Sequence, residues 1–218
     1  MEHVAGVRSY RSTDRRAVRE ISCDTADIGD PVDRFFPDRE AVADVLVGYY
    51  IDQEPDLLWV AEREGRVVGY LTGCLDTRRS RRAMRKMAMK AAVVAVRRGV
   101  LWRVRTWHLL VAAAGTVLLG GSAPAPDLDR YPAHFHINLR PEARGSGLGR
   151  RLVERFRDQV DAARVAGMHV VTRGDNAAGR QFFEAMGFRL LHERLLILPD
   201  GRWFKRTSTA AYGWRREE

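Results

Sequence analysis

Apolar positions recur along this chain at two spacings, every second residue and every third or fourth, and the switches between them mark out the elements. Val7 to Arg11 reads as a short strand. Thr13 or Asp14 can cap a helix running to about Asp24, with Val18 and Ile21 inward. Asp30 to Pro37 reads as loop. Asp38 then caps a second helix that buries Val42, Val45, Leu46, Tyr49 and Tyr50 until Pro55 ends it. Leu57 to Glu62 and Arg66 to Leu75 are strands joined at Glu64-Gly65, a hairpin signal.

Further on, Ala133 to Leu139 is a strand and Gly147 to Ala166 a helix, with Leu148, Leu152, Phe156 and Val160 four apart on its buried face and Gly167 as its C-cap. His169 to Arg173 is a Val-rich strand. Asn176 to Met186 is a helix closed by Gly187. Arg189 to Leu198 and Trp203 to Thr209 pair across Pro199-Asp200-Gly201.

Between the two halves lies a segment of different composition. From Thr77 to Pro126 there is no Asp or Glu and there are 11 Lys or Arg. The rest of the chain holds 26 basic against 28 acidic residues, so the net charge of +9 belongs to this segment. That weakens a general nucleic-acid-binding reading, and none is expected. Arg81 to Arg98 has the pattern of a basic amphipathic helix, Gly99 breaks it, and Val100 to Leu119 forms a more apolar one. The charge-free run Leu109 to Gly121 is too short to cross a bilayer, which needs about 20 residues. Ser122 to Pro132 is a Pro-rich, acidic loop.

The 218 residues suit one domain, with 77–126 inserted in it. Cys23 and Cys74 read as buried thiols in a reducing compartment, and no His or Cys cluster has metal-ligand spacing, so no metal is expected. The first residues lack an apolar signal-peptide core, which points to the cytoplasm.

The candidate chemistry gathers at Arg140 to Phe156, RPEARGSGLGRRLVERF. A glycine-rich turn between a strand and a helix lets backbone amides approach a ligand, and a helix N-terminus favours an anion. A Walker loop would end in Gly-Lys-Ser/Thr, but Gly149 precedes Arg150 and Arg151. A dinucleotide loop would read Gly-x-Gly-x-x-Gly, whereas the run here is Gly145-Ser146-Gly147-Leu148-Gly149.

Arg144-x-x-Gly147-x-Gly149 after Pro141-Glu142 resembles the pyrophosphate loop of the GNAT family of N-acetyltransferases, which use acetyl-CoA. Asn176 to Phe188, NAAGRQFFEAMGF, resembles the family's last helix, and the two motifs stand in the family's order and spacing. The resemblance implies an α/β fold: a mixed, mostly antiparallel sheet, splayed at its centre and flanked by helices, here with a helical insertion. It implies that the Leu139 backbone bonds the acyl end of acetyl-CoA. Amides from Gly145, Ser146, Gly147, Leu148, Gly149 and Arg150, opened by Arg144, would hold the pyrophosphate, and Asn176 would meet the pantetheine arm. A small-molecule amine would then attack the thioester, helped mainly by positioning and oxyanion stabilisation. The chain departs from the family at Phe183, where a Tyr usually protonates the leaving thiolate. An acyl-CoA-binding module without turnover is therefore the second implied reading. Tyr131 to Ile137 also resembles a GNAT subgroup that includes the acetyltransferase-like domain of O-GlcNAcase.

His134, His136 and Asn138 alternate, so they share one face of the strand. His134 or His136 is the candidate base, because histidine titrates near neutrality; a water-relayed Asp127 or Asp129 is the alternative. Three readings of the insertion stand at this level: a helical pair packed on the core, a lid that attracts an anionic acceptor, or a contact with an anionic membrane surface. A homodimer is compatible with the sequence.

Overall fold

The computed structural model describes residues 5–31, 39–86, 116, 126–200 and 203–216. Among the described residues seven strands form one sheet: β1 (Gly6–Ser9), β2 (Leu58–Arg63), β3 (Arg66–Cys74), β4 (Ala133–Leu139), β5 (Gly167–Arg173), β6 (Arg189–Asp200) and β7 (Trp203–Arg215). Their spatial order is β1-β2-β3-β4-β5-β7-β6. Every pair is antiparallel except β4–β5. That pair touches in register only at Ala133–Met168 and His134–His169. Beyond it β5 stays paired with β7 along its length while β4 stays with β3, so the sheet splays at its centre.

Helices cover both faces. α1 (Arg15–Asp24) follows a short turn at Ser12–Asp14, and α2 (Arg39–Ala43) runs through a wide π turn at Asp44–Gly48 into α3 (Tyr49–Gln53). Val18, Ile21, Val47 and Ile51 pack there on Leu58, Val60 and Tyr70. Residues 77–86 form α4. α5 (Leu148–Ala162) lies on the opposite face and α6 (Ala177–Ala185) beside it. Leu148, Leu152, Phe156 and Val160 of α5 are buried as their four-residue spacing requires, and they join Phe135, Phe183, Phe188 and Tyr212 in one core. Burying each such side chain contributes roughly 1.5–3 kcal/mol. The β2–β3 hairpin turns at Glu64 and Gly65, which both have positive φ (54° and 73°), the geometry of a tight primed turn.

Three expectations are corrected. Val45 does not face the core; it is 74% exposed. The π turn widens the coil there, so Val47 takes the inward place and Tyr49 and Tyr50 are both buried. The first helix of the basic segment begins at residue 77 rather than at Arg81, because Thr77 is anchored to the sheet through its N–H, which donates to Pro132 O at 2.8 Å. Gly167 does not cap α5: the helix ends at Ala162, and Arg164 (φ 53°) takes the left-handed turn. The expected caps at Asp38 and the expected helix from Val100 to Leu119 lie outside the described residues, apart from Thr116, whose hydroxyl accepts from Ile197 N–H at 2.9 Å.

Gly167 instead opens β5 where two backbones close in: a Cβ there would lie 2.7 Å from both Arg130 O and Trp214 O. Gly167→Ala is expected to destabilise the fold by about 2 kcal/mol or more, since backbone cannot move aside cheaply. Gly65→Ala, where no atom lies within 4 Å of the new Cβ, meets only the positive-φ strain of about 1 kcal/mol. Urea unfolding of the two variants checks this; equal losses would reject the close-approach argument.

Candidate active site

The C-terminal ends of β4 and β5 diverge, and the two motifs sit on the two arms. At the end of β4, Pro141–Ala143 forms a single 3-10 turn and leads into Arg144, Gly145, Ser146 and Gly147, all exposed. Gly145 (φ 73°) and Gly147 (φ 79°) take left-handed conformations, and the space where a side chain would stand is open at both. Gly147 is the N-cap of α5. Arg151 N–H makes the first bond of the helix, to Gly147 O at 3.1 Å, so the amides of Leu148, Gly149 and Arg150 precede it at the positive end of a 15-residue helix. Ser146 Oγ donates to Ala143 O at 2.6 Å and shapes the loop. Gly149 lets α5 close on the strand: a Cβ there would stand 3.1 Å from Leu139 Cδ1 and 3.5 Å from the Phe182 ring. The loop thus presents open glycine backbone, a helix N-terminus and two exposed arginines, Arg144 and Arg150, which together fit a pyrophosphate.

The strand edge is equally defined. Arg140 N–H donates to Val68 O at 2.9 Å, so Asn138 and His136 turn their backbone groups to β3 by alternation. Ile137 and Leu139 turn theirs to the side from which β5 has departed. Arg144 reaches back toward Leu139 O through Nε and Nη2, each at a long 3.4 Å. On the other arm Asn176 caps α6: its Oδ1 accepts from Gly179 N–H at 3.0 Å and its Nδ2 donates to Thr172 Oγ1 at 3.0 Å. Phe183 points into the core at 4% exposure, among Phe135, Phe182, Phe188 and Tyr212.

On the α1–α3 face the even residues of β4 meet groups that sequence reasoning did not connect to them. His134 is 8% exposed, and both its ring nitrogens are engaged. Tyr50 Oη lies 2.7 Å from Nε2, and Thr77 Oγ1 lies 2.8 Å from Nδ1. Tyr50 Oη is also 3.1 Å from His136 Nε2. Thr77 Oγ1 is 2.6 Å from Pro132 O, which can only accept, so the threonine proton lies in that contact. Thr77 then accepts from His134 Nδ1–H. The neutral ring offers Nε2 to the Tyr50 proton, and Tyr50 in turn accepts from His136 Nε2–H. The chain runs one way, from His136 through Tyr50, His134 and Thr77 to the Pro132 carbonyl, and it leaves Nδ1 as the basic nitrogen of His136. Asn138 is apart from it: its Nδ2 donates to Tyr70 Oη at 2.8 Å. His169, on β5, donates Nδ1–H to Tyr131 O at 2.9 Å and lies 5.6 Å from His134, ring to ring.

Burial keeps these groups neutral. It pushes His134 well below its ordinary 6.5, with neighbouring His136, His169 and Arg81 adding in the same direction. It pushes His169 down to about 4. Burial raises the Tyr50 hydroxyl, so it stays protonated. His136 is surrounded by protein, which lowers it as well, yet its side chain is exposed to solvent. Burial lowers it to about 4, as far as His169. Asp127 accepts from Asp129 N–H at 3.0 Å and Asp129 pairs with Arg78 at 2.9 Å, both on the exposed turn before β4.

A family model described as the acetyltransferase (GNAT) family matches residues 18–188. The chain belongs to this family. Among solved structures, SsHAT shares 25% identity with a TM-score of 0.67, covering 98% of this chain and 99% of its own. The GNAT fold is shared too by yncA from Salmonella typhimurium, solved with its cofactor acetyl-CoA (18% identity, TM-score 0.59, 98% and 95% covered). The ribosomal-protein-S18-alanine N-acetyltransferase from Escherichia coli also has it (16%, 0.55, 97% and 94%). An L-methionine sulfoximine/L-methionine sulfone acetyltransferase of Salmonella typhimurium (strain LT2) is 32% identical over 82 residues, 36% of this chain. The match spans 46% of that relative, less than half its length.

Tyr50, Thr77 and His169 were absent from the sequence-based site. Tyr50 carries only the periodicity of a core residue, and Thr77 lies at the edge of the basic segment. No local signal ties either to a strand more than fifty residues away.

The buried histidines set a pH dependence with a definite sign. Unfolded, His169 takes up a proton below about 6.5; folded, it resists until about 4. Stability is therefore full above the unfolded value and falls as pH drops toward 4, by of order 2–3 kcal/mol for this residue alone. In His169→Asn, whose amide can still donate to Tyr131 O, the slope of unfolding free energy between pH 4 and pH 6.5 should be visibly shallower. An unchanged slope in denaturant titrations would reject the buried, neutral assignment.

Proposed function

We propose that this GNAT protein is an acetyl-CoA-dependent N-acetyltransferase acting on a small amine. The observation that carries the reading is the splay of β4 from β5, with an open anion-binding loop at its mouth and a solvent-reached histidine, His136, on the α1–α3 face. The amides from Gly145 to Arg150, with Arg144 and Arg150, would receive the pyrophosphate, and the Ile137 and Leu139 backbone the acyl-bearing arm. Acetyl-CoA, when bound, supplies the thioester carbonyl that an amine attacks.

The residues of this chain then have distinct tasks. His136 is the base: its Nδ1 accepts the ammonium proton. Tyr50 fixes the ring by accepting Nε2–H, and the imidazolium that forms keeps that bond. His134 and Thr77 hold the Tyr50 proton pointed away from His136, so the tautomer that leaves Nδ1 basic is the one present. Phe183 supplies no proton, so the thiolate leaves unassisted or takes its proton elsewhere. The Salmonella typhimurium relative acetylates L-methionine sulfoximine and L-methionine sulfone, which supports a small amine as acceptor.

A second reading, an acyl-CoA-binding module without turnover, is favoured by one observation: Phe183 is apolar and packed in the core. The resemblance to the O-GlcNAcase-like subgroup supports the same alternative. Release of CoA thiol over a panel of amines, beside calorimetric binding of acetyl-CoA, separates the two readings.

Two variants test the assignments. Gly147→Asp puts a carboxylate where the loop would hold pyrophosphate; acetyl-CoA binding should be lost while the fold survives with a strain cost of about 1 kcal/mol. Calorimetric affinity equal to wild type would remove the loop from the site. His136→Gln should lower kcat by about a hundredfold or more with acetyl-CoA affinity retained, the usual contribution of a placed general base. A kcat within a few-fold of wild type would exclude His136 as the base.

A further inference from the structure

Helix α4 carries Thr77, Arg81 and Met84 at i, i+4 and i+7, one stripe of its surface. Thr77 takes the hydrogen bond from His134 Nδ1–H, and Met84 packs with Ala83 against Tyr49, Tyr50 and Cys74. The stripe therefore lies over the face of the sheet that bears the histidine chain, and Arg81 stands between its two anchored ends. Arg81 is half-buried, and its positive charge bears on both His134 and His169. It makes no hydrogen bond or ion pair with any described residue. Arg78, three residues earlier and 53% exposed, is paired with Asp129. A half-buried guanidinium with five donors and no acceptor is the costly case, and the neutral imidazoles beside it cannot offset its charge.

We propose that Arg81 anchors a carboxylate, and that the acceptor is a small amine that carries one: an amino acid or a close analogue. This rests on the amine-acylation reading above. A carboxylate that reaches this face beside His134 and His169 would meet the charge of Arg81. The two would form a forked, charge-assisted pair, and the flat guanidinium suits a carboxylate better than a lysine would. Because His134 and His169 stay neutral, the guanidinium is the charge this cluster presents to a ligand. Arg81 would then hold the acid end of the acceptor on the face of the sheet that also bears His136.

The test offers the standard L-amino acids singly with acetyl-CoA, each beside its carboxamide, to the full chain and to Arg81→Gln and Arg81→Lys. Thiol release gives kcat/KM for each pair. At least one amino acid should be preferred to its amide by about tenfold or more. The preference should vanish in Arg81→Gln and persist in part in Arg81→Lys, which keeps the charge but not the fork. Equal turnover of acid and amide, or a preference that survives in Arg81→Gln, overturns the anchor and leaves the acylation reading standing. If nothing is turned over, melting shifts of the same proteins with the same compounds decide. A shift produced by an amino acid but not its amide, and lost in Arg81→Gln, supports the carboxylate site and rejects acylation instead. No shift with any amino acid rejects the site.

Discussion

The pairing of β5 is the constraint on which this structure depends. β5 runs parallel to β4 and is bonded to it at two positions, then gives its whole length to β7. A strand has two edges, and once β7 occupies one of them and the β4 contact is released, the backbone of Ile137 and Leu139 faces a gap rather than a neighbouring strand, with the Arg144 side chain reaching Leu139 O across it. Everything proposed for the site follows from that gap. The glycine loop stands at its mouth because α5 must start where β4 ends, and Asn176 stands on the other arm because α6 starts where β5 ends. The aromatic core of Phe135, Phe156, Phe183 and Phe188 fills the root of the splay on the α5 face. Phe183 is part of that packing.

The opposite face carries a polar chain in a place that would otherwise be apolar. Buried polar groups are tolerated when each is hydrogen-bonded, and here the links from His136 to Pro132 satisfy one another in a single direction. The carbonyl at the end of the chain decides the tautomers, since it can only accept. The π turn between α2 and α3 has its consequence here. It brings Tyr49 and Tyr50 inward together, and Tyr50 then reaches His134 and His136 while Tyr49 reaches Glu54 at 3.0 Å.

The basic segment is joined to this face at its first residue. Thr77 is at once the start of α4, a partner of His134 and a double donor to Pro132, through N–H and hydroxyl. The start of the segment is therefore continuous with the candidate site, and Arg81 follows one turn later. At its far end Thr116 meets the β6 backbone at Ile197.

Local pattern was enough for most of the elements and for the glycine loop. The four-residue spacing from Leu148 to Val160, the alternation from Ala133 to Leu139 and the Asn176 cap each express an interaction between residues a few positions apart, so they are legible in one dimension. Alternation alone also put His134 and His136 on a common face. The motif order gave the family, and with it the splayed sheet. What the chain could not show by itself is where distance in sequence is large and distance in space is small. The His134–His169 register, the 84-residue link from Tyr50 to His134, and Thr77 against the Pro132 carbonyl depend on how whole layers stack. The same holds for the misplaced inward positions: Val45 fits a regular helix, and only packing against the sheet selects the wider turn that exposes it. Gly167 looks like a cap until Arg130 and Trp214 are brought beside it. Sequence determined which elements form, because short-range sterics and hydrophobic period suffice for that. Tertiary structure decided which polar groups meet, because a hydrogen bond between remote residues has no trace in the local pattern of either one.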